Sequence, residues 1–155
     1  MDLLLWRHAE AYDITDDQPD DLKRPLTPRG KSQAQRVAKW LDQYLPDGVR
    51  ILCSPALRCE STAAALGRKY KLCQELSPEG GAQALLELAQ WPEALTPVLI
   101  IGHQPTLGLV AAQLLKAPGH TLSIRKGSVW WLRSRVRMDA QTTLMYCVQS
   151  PDLLW

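Results

Sequence analysis

The sequence predicts an α/β fold in three layers, a mostly parallel mixed sheet with helices on both faces. Two observations predict it. Short apolar runs bounded by turn residues occupy 2–6, 50–54 and 97–101, and a helical pattern follows each of them. Near-continuous apolar runs suit strands buried on both faces, which requires helices above and below the sheet.

The first run, Leu3 to Trp6, leads into a polar, acidic segment from Glu10 to Lys23 that has no periodicity and reads as a loop. A loop of that length inside a compact domain is more often functional than idle. Thr27 is placed to cap a helix that starts at Pro28, along which Ala34, Val37, Ala38, Leu41 and Leu45 recur at helical spacing until Pro46-Asp47-Gly48. A second helix is suggested by Ala56, Cys59, Ala63, Leu66 and Tyr70. A third follows from Ala82, Leu85, Leu86 and Ala89, and a fourth from Leu107, Val110, Ala111 and Leu114. Segments 128–136 and 142–148 read as a terminal strand pair whose short link implies antiparallel pairing, so the sheet is mixed. With no internal repeat and no linker, residues 1–155 are read as one domain.

Composition narrows the function classes. An apolar fraction of 46% and a charged fraction of 22% argue against disorder, and a net charge of +2 is too small to indicate nucleic acid by itself. The apolar run near the amino terminus is too short for a signal peptide, and no stretch is long enough to span a bilayer, so a cytoplasmic protein with no membrane association is expected. Cys53, Cys59, Cys73 and Cys147 lack zinc-site spacing and fall in expected strands or helices, which predicts free, buried thiols.

The chemistry sits where strands end. In open α/β sheets ligands bind beyond the carboxyl ends of the strands. Arg7-His8 follows the first strand and Gly102-His103 follows the strand at 97–101, while Arg58 lies in the first turn after the strand at 50–54. Two imidazoles and two guanidiniums suit a phosphoryl group, because each guanidinium fork matches phosphate oxygens and an imidazole can attack phosphorus. Neighbouring cations disfavour a protonated ring, which keeps His8 neutral and nucleophilic. Its second nitrogen needs an acceptor such as a backbone carbonyl.

Arg7-His8-Ala9-Glu10 resembles the RHG motif of the histidine phosphatase superfamily, with Ala9 where most members have glycine, as in its SixA-type branch. The resemblance extends through Arg24-Pro25-Leu26-Thr27-Pro28-Arg29-Gly30, Ser54-Pro55-Ala56-Leu57-Arg58 with Thr62 downstream, and Gly102-His103-Gln104-Pro105. It implies a phosphoglycerate-mutase-like fold and a metal-independent phosphatase that needs no cofactor. His8 would form the phosphohistidine intermediate, Arg7 and Arg58 would clamp phosphate, and His103 would bond a phosphoryl oxygen. Arg24 would be a further substrate-binding residue, accompanied by Asp21; simple pairing of the two to pin the loop is the competing account. Members acting on esters carry a glutamate as proton donor, for which Glu79 and Glu75 are the candidates, though neither stands in the usual pattern. A phosphohistidine substrate has less need of a dedicated acid. The short chain lacks capping insertions, so its partner is expected to be a phosphohistidine-bearing protein such as a histidine-phosphotransfer domain, met by a monomer.

Other readings are weaker. A phosphatase for small-molecule esters would use the same four residues plus an acid near Glu79. A non-catalytic phosphate-binding module would have no need of a nucleophile. Arg7 and Arg58 would repel a divalent cation, and Cys53 to Arg58 has the wrong spacing and no glycines for a cysteine phosphatase loop. No nucleotide-binding glycine motif occurs. His120, in the Pro118-Gly119-His120 loop, reads as structural. Arg133, Arg135 and Arg137 share one strand face, and with Arg125 and Lys126 they read as a solvated surface, with acidic-partner docking as the alternative. Trp130 and Trp131 point to opposite faces and cannot stack bases together, so one of them belongs to the core.

Overall fold

The computed structural model describes residues 1–117 and 119–155; Pro118 lies outside the described residues. Strands β1 (Asp2–Arg7), β2 (Arg50–Cys53), β3 (Lys71–Leu72), β4 (Val98–Gly102), β5 (Val129–Arg137) and β6 (Ala140–Gln149) form one sheet in the order β3-β2-β4-β1-β5-β6. β1 to β4 pair in parallel, whereas β5 runs antiparallel to both β1 and β6. The sheet is thus mixed, as the short link between the last two strands implies.

Parity along the strands separates two cores. Leu3, Leu5, Leu52, Val98, Ile100 and Leu132 meet α3 (Ala82–Ala89) and α4 (Thr106–Leu114) on one face. Leu4, Trp6, Ile51, Leu99, Ile101 and Trp131 meet α1 (Pro28–Tyr44) and α2 (Leu57–Ala64) on the other. Successive side chains alternate between faces, so an all-apolar strand feeds both layers at once. Trp131 is 7% exposed in the second core while Trp130 packs at the margin of the first, which places the two indoles on opposite faces.

Several elements differ from expectation. α2 stops at Ala64 rather than reaching Tyr70, because the chain turns at Gly67, whose φ of +72° a glycine adopts without strain. Leu66 and Tyr70 still pack on the same core from outside the helix. β3 has only two residues, both exposed, and leaves no apolar signature. The acidic segment contains a 3₁₀ turn at Asp21–Lys23 and a bridge between Ala11 and Leu26. All four cysteines are free, but Cys73 lies outside the strands and α-helices, and Cys147 is only half-buried because the outer face of edge strand β6 is open to solvent. Among the described residues no helix is long and apolar enough to cross a membrane.

Candidate active site

The carboxyl ends of β2, β4 and β1 lie side by side and in step, with Cys53 opposite Ile101 and Gly102 opposite Arg7. Pairing continues one residue further: His8 N–H donates to Gly102 O at 3.1 Å and Ser54 N–H to Ile101 O at 3.0 Å. His8, Ser54 and His103 therefore emerge together from three adjacent strands. The two imidazoles stand 5.3 Å apart between centroids and are tilted by 56°, with His8 6% and His103 4% exposed.

Each ring is held from one side. His8 Nδ1 lies 2.8 Å from Ala9 O. A carbonyl only accepts, so the proton sits on Nδ1 and the lone pair on Nε2. Burial, opposed by that bond and reinforced by His103, Arg58 and Arg7, pushes the His8 pKa down to about 3. Burial and the Arg58 charge, partly offset by Asp21, bring His103 to about 4. Both rings are neutral at pH 7. His103 Nε2 lies 2.7 Å from Ser54 Oγ, which accepts Ala56 N–H at 3.2 Å. That hydroxyl has one proton and a second lone pair, so it can donate to Nε2 or accept from it, and in either case it fixes the orientation of the His103 ring. Cys59 Sγ packs 3.4 Å from the same nitrogen, and burial pushes its thiol up to about 12, so it remains protonated.

The guanidiniums are tied by Asp21. Arg58, 4% exposed, donates from Nη1 to Asp21 O at 2.7 Å and from Nη2 to the Asp21 carboxylate at 3.2 Å. Arg24 donates to the other carboxylate oxygen at 3.2 Å and to Tyr12 O at 2.6 Å. Burial alone would raise the Asp21 pKa, but the bond from Arg24 and the Arg58 charge outweigh it and hold the carboxyl below its ordinary range. Arg24 thus pairs with Asp21 and, through it, joins Arg58. Arg7 donates from Nη1 to Ile124 O at 2.8 Å. The Nε atoms of Arg7 and Arg58 are buried without a partner among the described residues. An unsatisfied buried donor costs about 1–3 kcal/mol, more when charged, and a hydrogen-bond acceptor such as an oxyanion would offset that cost.

The loop after His8 is clamped by the neighbouring helices. Ala9, fully buried in a small cluster with Ala11, Leu26 and Ala34, donates its N–H to Thr62 Oγ1 at 3.0 Å. The Thr62 hydroxyl in turn donates to Arg58 O at 2.8 Å. Glu10 N–H donates to Gln33 Oε1 at 3.0 Å, and Thr27 caps α1 at Gly30 N–H while its hydroxyl donates to Glu10 Oε1 at 2.9 Å. A Cβ on Gly30 would stand 1.9 Å from Glu10 O, so this close approach requires glycine.

The structure therefore brings together His8, His103, Arg58 and Arg24, with Arg7 at the end of β1 beside them. Glu79 is exposed and lines a groove of about 250 Å³ with Asp21, Leu22, Gln74, Ser77 and Pro78. Glu75 is exposed and does not line it. His120 is exposed on a groove with Ala82 and Leu109 that shares no residue with this site. Sequence reasoning missed the Ser54–His103 contact and the grip of Asp21 on Arg58, although Ser54 stands in a quoted motif and the resemblance sets Asp21 beside Arg24. Among the described residues no three His, Cys, Asp or Glu side chains are grouped to hold a metal ion.

A three-layer sheet carrying two histidines and arginines at its strand ends defines a class of phosphatases, and comparison with known proteins agrees. The sequence profile of the histidine phosphatase superfamily (branch 1) matches residues 3–79. The chain is 32% identical over 129 residues to the phosphohistidine phosphatase SixA of Escherichia coli, covering 78% of this chain and 77% of that one. It is 35% identical over 164 residues to an uncharacterized protein of Picosynechococcus sp., covering 99% of each. The structure of the protein histidine phosphatase SixA complexed with tungstate superposes with a TM-score of 0.74 at 26% identity, covering 98% of each chain. The chain belongs to the histidine phosphatase superfamily, in its SixA-type branch.

Proposed function

We propose that this chain hydrolyses phosphoryl groups from protein histidine through a covalent intermediate on His8, without a metal ion. The observation that carries this reading is a neutral His8 whose tautomer leaves Nε2 unprotonated, set among guanidiniums with unsatisfied buried donors. In the first step His8 Nε2 attacks phosphorus as the P–N bond to the substrate imidazole breaks. That imidazole leaves with the bonding pair and takes a proton from solvent. Arg7 and Arg58 balance the charge on the phosphoryl oxygens, and His103 bonds one of them through a ring N–H. Arg24 acts through Asp21. Water then attacks phosphorus, the bond to His8 Nε2 breaks, and inorganic phosphate departs. Tungstate is a tetrahedral oxyanion like phosphate, and its presence in the related SixA structure supports an oxyanion pocket on this fold.

A second reading, an ester phosphatase, is favoured by one feature: Glu79 lines the groove beside Asp21, where it could protonate an alkoxide leaving group. The test measures phosphate release, with chelator present, from a histidine-phosphorylated phosphotransfer domain and from an aryl phosphate. The expected result is preferential release from the protein, lost in His8→Ala. Preference for the ester, with loss of that activity in Glu79→Gln, would establish the second reading instead.

A further inference from the structure

The site straddles the ends of β2, β4 and β1, and its two flanks carry opposite charge. On the β2 flank Asp21 grips Arg58 at the start of α2, and the segment leading to it carries Asp13, Asp16, Asp17 and Asp20. On the β5 flank a polar groove of about 310 Å³ opens beside Arg7, lined by Arg29 and Gln33 of α1 and by Arg125 and Lys126, which precede β5. Glu10, Ser123 and Asp152 complete it. Asp152 already pairs with Arg125 at 2.9 Å, and Glu10 lies 3.8 Å from Arg29. Among the described residues Arg7 and Lys126 pair with no carboxylate. The side chains of Arg29 and Arg125 are 69% and 70% exposed, so their pairs are weak and exchangeable.

We propose that this groove receives acidic side chains of the protein that carries the phosphohistidine, on one side of the modified residue. The proposal rests on the phosphohistidine reading above and adds what the partner looks like. Arg7 belongs both to the phosphate-binding candidates and to the groove lining, so a phosphoryl group in the site and a carboxylate in the groove lie next to each other on one chain. The acidic flank repels the same residues, which fixes the direction in which the partner lies across the site. Complementary charge of this kind selects partners and speeds encounter. The acidic flank also opposes the phosphate backbone of a nucleic acid.

The test uses fluorescence anisotropy with two labelled, unphosphorylated histidine peptides, one flanked on one side by Asp and Glu and the other by Ser and Gly. The natural chain and an Arg125→Gln/Lys126→Gln variant, shown to melt at the same temperature, are compared at low salt and at roughly 500 mM salt, where the Debye length is only a few ångströms. The expected result is binding of the acidic peptide about fivefold tighter than the neutral one, a preference lost in the variant and at high salt. Equal binding of the two peptides, or a preference retained by the variant, would overturn the proposal. So would tighter binding of a single-stranded oligonucleotide of equal charge. The same peptides, histidine-phosphorylated, separate the two claims. Turnover without flank preference removes the groove and leaves the phosphatase reading, whereas binding preference without turnover removes the phosphatase reading and leaves the groove.

Discussion

His8 and His103 are both neutral, yet different partners hold them. His8 is fixed by a backbone carbonyl one residue away, an acceptor that does not depend on any partner side chain. His103 depends on the Ser54 hydroxyl, which is fully buried and small enough that alanine fits in its place. Ser54→Ala is expected to lower kcat for phosphohistidine about five- to tenfold, the value of roughly one hydrogen bond, with KM and melting temperature little changed. A rise in KM at constant kcat would show that Ser54 serves ground-state binding rather than the orientation of His103. The four residues flanking strand ends were legible in the sequence because strand, turn and motif coincide there. The contacts of Ser54 with His103 and of Asp21 with Arg58 were not, because each joins residues separated by 49 and 37 positions. Spacing identifies which strand ends carry chemistry, but side-chain reach across them is decided only by packing.

At the scale of elements, the buried strands and the longest helix announce themselves through apolar runs and a capped N-terminus. What periodicity missed has a physical cause in each case. β3 is too short and too exposed to carry a pattern, and Leu66 and Tyr70 after α2 mimic helical spacing because they pack on the core without helical backbone. The more consequential link is between α2 and the loop after β1. Thr62 accepts from Ala9 N–H and donates to Arg58 O, so one hydroxyl couples the His8 loop to the helix that carries Arg58. Thr62→Val keeps the shape and leaves the Ala9 donor buried without a partner. The expected cost is about 1–3 kcal/mol in urea unfolding, with a fall in kcat as the loop shifts. Unchanged stability together with unchanged turnover would show that the loop is held by its other contacts, to Gln33 and Gly102.

At the scale of the whole molecule, two apolar layers and one sheet keep two imidazoles out of water, and that burial makes stability depend on pH. The folded pKa values of His8 and His103, about 3 and about 4, lie below the 6.5 of an unfolded histidine. Between those values the unfolded chain binds more protons than the folded one, so stability rises with pH there and falls as the solution is acidified from 6.5. Each histidine contributes a slope of about 1 kcal/mol per pH unit. Asp2 and Asp21 shift in the same direction but from a lower starting point: their folded values lie below 3.8, so their stabilisation is present above 3.8 and is lost only at lower pH. The interval from pH 6.5 to about 4.5 therefore isolates the two histidines. Urea midpoints measured across that interval should fall steadily for the natural chain and stay nearly level for a His8→Asn/His103→Asn variant, whatever its absolute stability. An equal slope in both would mean that groups outside this site govern the acid limb, and that the two imidazoles are more open to water than their packing between the layers indicates.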